Sequence, residues 1–187
     1  TKVQEAQLIE QLQLPEVVAL GEIGLDYHWD TSPRDVQRTV FERQIEIAKS
    51  LHMPISVHTR DALEDTYKIL KETDVRDCGG IIHSFNGDSE WLKRFMDLGM
   101  QISFSGVVSF KNAREVHESA KLCPLDVMLV ETDAPYLTPT PYRGKQNQPG
   151  YTRYVVEAIA KLREVAPEEI AAATYANAHR IFKLGAI

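Results

Sequence analysis

Four side chains able to bind a metal or move a proton, Glu22, His58, His83 and Asp133, each stand just after a short apolar run. The runs are Val17 to Leu20, Pro54 to Val57, Gly80 to Ile82 and Val127 to Val130. The four residues are 36, 25 and 50 positions apart, or one, one and two strand-plus-helix units. Such a period delivers every one of them to the same end of a parallel sheet. Two imidazoles and two carboxylates gathered there suit a divalent ion, since imidazole favours zinc, manganese, iron or nickel and carboxylate tolerates magnesium or manganese. A lone glutamate or histidine after a strand is ordinarily a capping, packed or solvated group. Four at equivalent strand ends are a candidate metal centre. The chemistry it would serve is activation of a water for hydrolysis.

The elements that must position these residues follow from patterning. Val3, Ala6, Leu8, Ile9 and Leu12 predict a loosely amphipathic opening helix. Ser32 and Pro33 read as an N-cap followed by a first-turn proline, opening a long helix through Val36, Val40, Phe41, Ile45, Ala48 and Leu51. A helix over 61–71 follows the second strand, and Asp88 is placed to cap another through Trp91, Leu92, Phe95 and Leu98. Residues 101–105 read as a fourth strand, 113–121 as a helix and 126–131 as a fifth strand. Two helices, 151–165 and 167–183, close the chain. The loop from Ala134 to Gly150 carries four prolines, and loops of that length in a small domain usually serve function.

Alternating strands and helices predict a single α/β domain over 1–187, either an open doubly wound sheet or part of an eight-stranded barrel. Gly21 and Gly24 form a Gly-x-x-Gly pair rather than a dinucleotide-binding glycine triplet. Catalytic residues of a barrel gather where several strands end, which is where the four candidates fall. The barrel accounts for them better.

Composition narrows the class. The 43% hydrophobic and 26% charged fractions suit a folded domain, and no apolar run is long enough to span a bilayer. A cytoplasmic protein without membrane contact is expected. Cys78 and Cys123 lack metal-knuckle spacing and are expected to be buried or idle thiols. A net charge of −6 argues against a broad basic surface, although bound cations could still meet phosphates.

Four segments carry a resemblance: Gly21-Glu22-Ile23-Gly24-Leu25-Asp26, Val57-His58-Thr59-Arg60-Asp61-Ala62, Ile82-His83-Ser84-Phe85, and Glu131-Thr132-Asp133-Ala134-Pro135-Tyr136-Leu137. In order, and with Pro141 to Lys145, the chain resembles the TatD-related metal-dependent deoxyribonucleases. The resemblance implies a (β/α)8 TIM-barrel fold of the amidohydrolase type with two divalent ions, whether Mg, Mn or Zn. It carries Glu22 over as a shared carboxylate, His58 and His83 as ligands, and Asp133 as a ligand near the attacking water. Whether Asp133 also takes that water's proton is open at this point, and Glu22 and Asp133 are the catalytic candidates. Arg60, Arg143 and Lys145 are candidates to hold phosphate, and Tyr136 and Tyr142 either stack on bases or pack within the long loop. The implied substrate is DNA, cut from an end of a single strand. The rival expectations are an amidohydrolase-like enzyme of a small amide, ester or lactone, and a catalytically silent fragment or scaffold.

The family opens with a strand bearing a His-x-His pair, and this sequence has none. Its first strand resembles the family's fourth, so about five of the eight βα units are expected here. The chain is therefore expected to be N-terminally incomplete, prone to aggregate or to need further chain, and weakly active by itself, with the intact protein a monomer.

Overall fold

In the computed structural model, which describes residues 1–185, five strands form one parallel sheet in the order of the chain: β1 (Leu20–Asp26), β2 (Ile55–Arg60), β3 (Gly80–Ile82), β4 (Gln101–Phe104) and β5 (Met128–Val130). A doubly wound sheet reverses its strand order partway; this one does not. The architecture is that of a (β/α)8 barrel with five βα units present, and β1 and β5 are the two ends of the sheet.

The helices are α1 (Lys2–Leu12), α2 (Arg34–Ser50), α3 (Leu63–Glu72), α4 (Ser89–Asp97), α5 (Arg114–Leu122), α6 (Thr152–Arg163) and α7 (Pro167–Ile181). α2 buries Phe41, Ile45, Ile47 and Ala48, and packs on β1. β3 and β4 are buried along their whole length, as expected of strands covered on both faces. A chain of edge-to-face contacts, Tyr67 to Phe95 to Phe85 to Phe104, joins α3 and α4 to β4 beneath the loop after β3. α1 contributes only Leu12 to the buried core, in keeping with its weak periodicity.

Several expected boundaries move. β1 and β2 start and end later than their apolar runs, so Glu22 and His58 lie inside strands rather than after them. The fifth strand is shorter than 126–131, because Leu125–Val127 forms a 3-10 turn before it. Asp88 caps α4 as expected, accepting from the N–H groups of Glu90 and Trp91. Ser32 caps nothing. Pro33 is extended at ψ 138° and α2 begins at Arg34. Gln37 secures the junction instead: its Nε2 donates to the carbonyls of Ser32 and Asp26, and its Oε1 accepts the Asp26 N–H. That bracket fixes the end of β1, where the candidate site begins.

Candidate metal centre

A bulge aims Glu22. Leu20 pairs with Ile55 and Ile23 with Val57, so β1 carries one residue more than β2 across that interval. Bulges of this kind re-aim a side chain beside a site. Gly24 then pairs with His58 at a φ of 142°, and a Cβ there would lie 2.0 Å from the His58 carbonyl oxygen. Only glycine lets β1 come this close to β2. His83 follows β3 directly, with its N–H on the Val57 carbonyl. Just beyond β3 and β5, Ser84 (φ 43°) and Asp133 (φ 59°) adopt left-handed backbone, turning the chain sharply at the mouth.

These devices converge on one carboxylate oxygen. Glu22 Oε1 is 2.7 Å from His58 Nδ1 and 3.4 Å from His83 Nε2, and donor atoms of the three residues lie within 4.8 Å of one another. His83 Nε2 is also 3.5 Å from Asp133 Oδ1. The structure thus gathers all four sequence candidates.

It adds two that sequence spacing does not single out. Asp26 Oδ2 is 3.1 Å from His58 Nε2, and its other oxygen accepts the N–H groups of His28 and Trp29. Glu131 Oε2 is 2.9 Å from His83 Nδ1. Both belong to the motif segments, but the only signal for their role is adjacency to a strand end.

The electrostatics are those of a cation site. Four carboxylates, Glu22, Asp26, Glu131 and Asp133, surround two histidines. The hydrogen bond that His58 donates to Glu22, aided by the charges of Glu22 and Asp26, raises the pKa of His58 against the opposing effect of burial. Burial opposes a charged His83, but Glu131, Glu22 and Asp133 outweigh it and lift the ring to about 9. Glu22 is held below the usual carboxylate range by its bond to His58. Asp133 moves the other way, raised by burial and by the negative charges of Glu131 and Glu22 against the pull of the histidines. Even with both rings protonated the cluster carries excess negative charge. That donor set fits a divalent cation.

The cluster opens into a cavity of about 700 Å³, lined also by Trp29, Arg60, Asn86, Val107 and Tyr136. Arg60 ends β2 at this mouth. Arg143 and Lys145 do not line the cavity: the Arg143 guanidinium lies 4.1 Å from the Phe110 ring centroid and the Lys145 ammonium 5.5 Å from that of Tyr142. Tyr142 stacks on Tyr151 at 4.8 Å and meets Tyr154 edge-on, so it packs within the structure. Asn147 pins the long loop, donating to the carbonyls of Thr132 and Tyr136. The His28 ring contacts Asp61 rather than the cluster, and both cysteines are free.

A family model described as TatD related DNase matches residues 1–183. The chain is 50% identical over 177 residues to YabD of Bacillus subtilis, an uncharacterized metal-dependent hydrolase, covering 94% of this chain and 69% of that protein. It is 49% identical over 170 residues to YcfH of Escherichia coli, likewise an uncharacterized metal-dependent hydrolase, covering 91% of this chain and 64% of that one. Among solved structures, the TatD homolog YJJV of Escherichia coli superposes with a TM-score of 0.92 at 29% identity, over 99% of this chain and 72% of that one. A TatD family hydrolase of Entamoeba histolytica shares the fold at a TM-score of 0.84 and 19% identity, over 96% and 67%.

Proposed function

The chain belongs to the TatD related DNase family of metal-dependent hydrolases, and from that premise we propose that it cleaves phosphodiester bonds of DNA at an end of a single strand. The observation that carries this reading is the convergence of Glu22, His58, His83 and Asp133 on the floor of an open cavity with Arg60 at its side. Glu22, His58 and His83 would hold divalent ions, Glu22 shared between the two rings, with Asp133 completing the set. Two ions, of magnesium, manganese or zinc, belong to the same reading. When bound they would supply Lewis acidity to the phosphoryl oxygens and bring the pKa of a water towards neutrality.

The chain's own groups do the rest. Asp133 sits beside His83 and orients the attacking water, accepting its proton through a carboxylate oxygen. Glu131 fixes the His83 ring by its Nδ1 edge, so that Nε2 faces Glu22 and Asp133. Arg60 offers a planar fork that suits a phosphate. Arg143 and Lys145, outside the cavity, would contact DNA beyond the scissile bond. Action in the cytoplasm suits the two free thiols, and no helix of the described residues is long and apolar enough to cross a membrane. A monomer completes the reading for the intact protein.

The test is a substrate panel on the purified protein with added manganese or magnesium. End-labelled single-stranded oligonucleotide is expected to be cut, with loss of cutting in EDTA and in Asp133→Ala. Turnover of small esters, lactones or amides with no cleavage of oligonucleotide would overturn the assignment in favour of an amidohydrolase-like activity. Absence of tight metal binding would do so in favour of a silent scaffold.

A further inference from the structure

Trp29 is two-thirds exposed (67%) and lines the same cavity as Glu22, His58 and His83. An indole that exposed contributes little to a core. The other tryptophan, Trp91, behaves as a structural one, packing against Tyr67 and Phe95. Trp29 instead stands perpendicular to the His28 ring with the centroids 5.1 Å apart, while the Arg60 guanidinium lies 5.7 Å from its ring centroid.

Its position is braced from the metal centre. The Asp26 carboxylate contacts His58 through one oxygen and accepts the backbone N–H of Trp29 at 2.9 Å through the other. Arg60 is in register with Asp26 across β1 and β2, and its carbonyl accepts the Tyr27 N–H. The backbone that carries the indole, the Arg60 guanidinium and the ligands Glu22 and His58 is therefore set by two adjacent strands. From the long loop, Tyr136 adds a second exposed aromatic to the cavity wall.

An aromatic face beside a guanidinium, next to a phosphodiester-cleaving centre, matches the two halves of a nucleotide. Resting on the reading above, we propose that Trp29 is a stacking platform for an unpaired nucleobase next to the scissile phosphate, with Arg60 holding that nucleotide's phosphate. Bases have a π-face whatever their identity, so the platform tolerates sequence. In a duplex those faces are already covered by stacking, so the platform selects single strands.

Two measurements test it. The first is intrinsic fluorescence of the metal-free protein in EDTA, titrated with a short single-stranded oligonucleotide, with an abasic oligonucleotide of equal length, and with a duplex. Quenching is expected with the base-bearing single strand, not with the other two, and is expected to be lost in Trp29→Phe, which keeps Trp91. The second is the ratio of kcat/KM for base-bearing over abasic strands with manganese present. Trp29→Ala is expected to lower that ratio about tenfold, and Trp29→Phe to restore most of it.

A wild-type protein that quenches equally with base-bearing and abasic strands, or not at all, overturns the platform. So does a Trp29→Ala variant that slows both substrates to the same degree. Base-dependent quenching without cleavage under any divalent ion would leave the platform standing and remove the nuclease reading. Metal-dependent cleavage with a base-to-abasic ratio near one would do the reverse.

Discussion

Glu131 holds His83 and the turn behind it at once: Oε2 lies 2.9 Å from His83 Nδ1, and Oε1 accepts the Ser84 N–H at 2.6 Å. The two residues follow β5 and β3, which are separated by β4, so the contact depends on strand ends converging across the mouth. An ionised carboxylate only accepts, so Nδ1 carries a proton and Nε2 is the nitrogen turned to Glu22 and Asp133.

Removing that support should weaken the metal centre. Glu131→Ala is expected to lower manganese or zinc affinity by about 10–100-fold, with a smaller loss in Glu131→Gln, whose amide oxygen still accepts. Calorimetric titration of both variants checks this. Unchanged affinity in Glu131→Ala would show that His83 needs no partner.

Metal uptake should release protons. In the ion-free protein His58 and His83 are both shifted towards their protonated forms, His83 to about 9. A ring must surrender a proton before its nitrogen can bind an ion. Affinity is therefore expected to rise with pH from near neutrality to about pH 9 and then level off. Titrations at pH 7 in buffers of different ionisation enthalpy should show net proton release, shrinking at higher pH.

Gly24 couples strand packing to the site. A Cβ at that position would collide with the His58 carbonyl at 2.0 Å, at a φ of 142° that side-chain-bearing residues rarely adopt. Gly24→Ala should destabilise the protein by about 3 kcal/mol, lowering Tm by roughly 6–12 °C. It should also weaken metal binding, because His58 must shift with β2. A variant with wild-type Tm would show that the strands can separate at no cost.

Cys123 makes stability fall in alkali. Burial pushes its thiol up to about 12 from an ordinary value of 9.0. Between those values the unfolded chain binds fewer protons than the folded one, so unfolding gains as pH rises. The urea midpoint should drop between about pH 9 and 11, and drop less in Cys123→Ala. With a thiol reagent at pH 8, Cys78 should react before unfolding and Cys123 only after it, as expected from their half-buried and buried positions.

The βα alternation, the choice of barrel over doubly wound sheet, and the four metal-competent residues were legible in the sequence. Apolar runs and their spacing encode which strand end each residue reaches, and a parallel sheet with consecutive strand order brings those ends together. His83 and Asp133 lie just beyond strands, as their runs predict. Glu22 and His58 do not, because hydrogen-bond pairing carries β1 and β2 past the end of continuous hydrophobicity to Asp26 and Arg60.

Only the tertiary structure decided how the four side chains meet and what holds them. The bulge that aims Glu22 depends on the register between β1 and β2, which no local pattern specifies. Asp26 and Glu131 touch histidines 32 and 48 positions away, contacts created by strand ends that converge at the mouth, adjacent in the first case and across β4 in the second, rather than by spacing along a helix or strand. The cations divide for the same reason. Arg60 ends a strand whose register places it at the mouth, whereas Arg143 and Lys145 belong to a loop whose own packing against Phe110 and Tyr142 sets them aside. Residue types and their period thus determined which chemistry this chain could carry. Strand register and loop packing, which are long-range and collective, decided which atoms face one another.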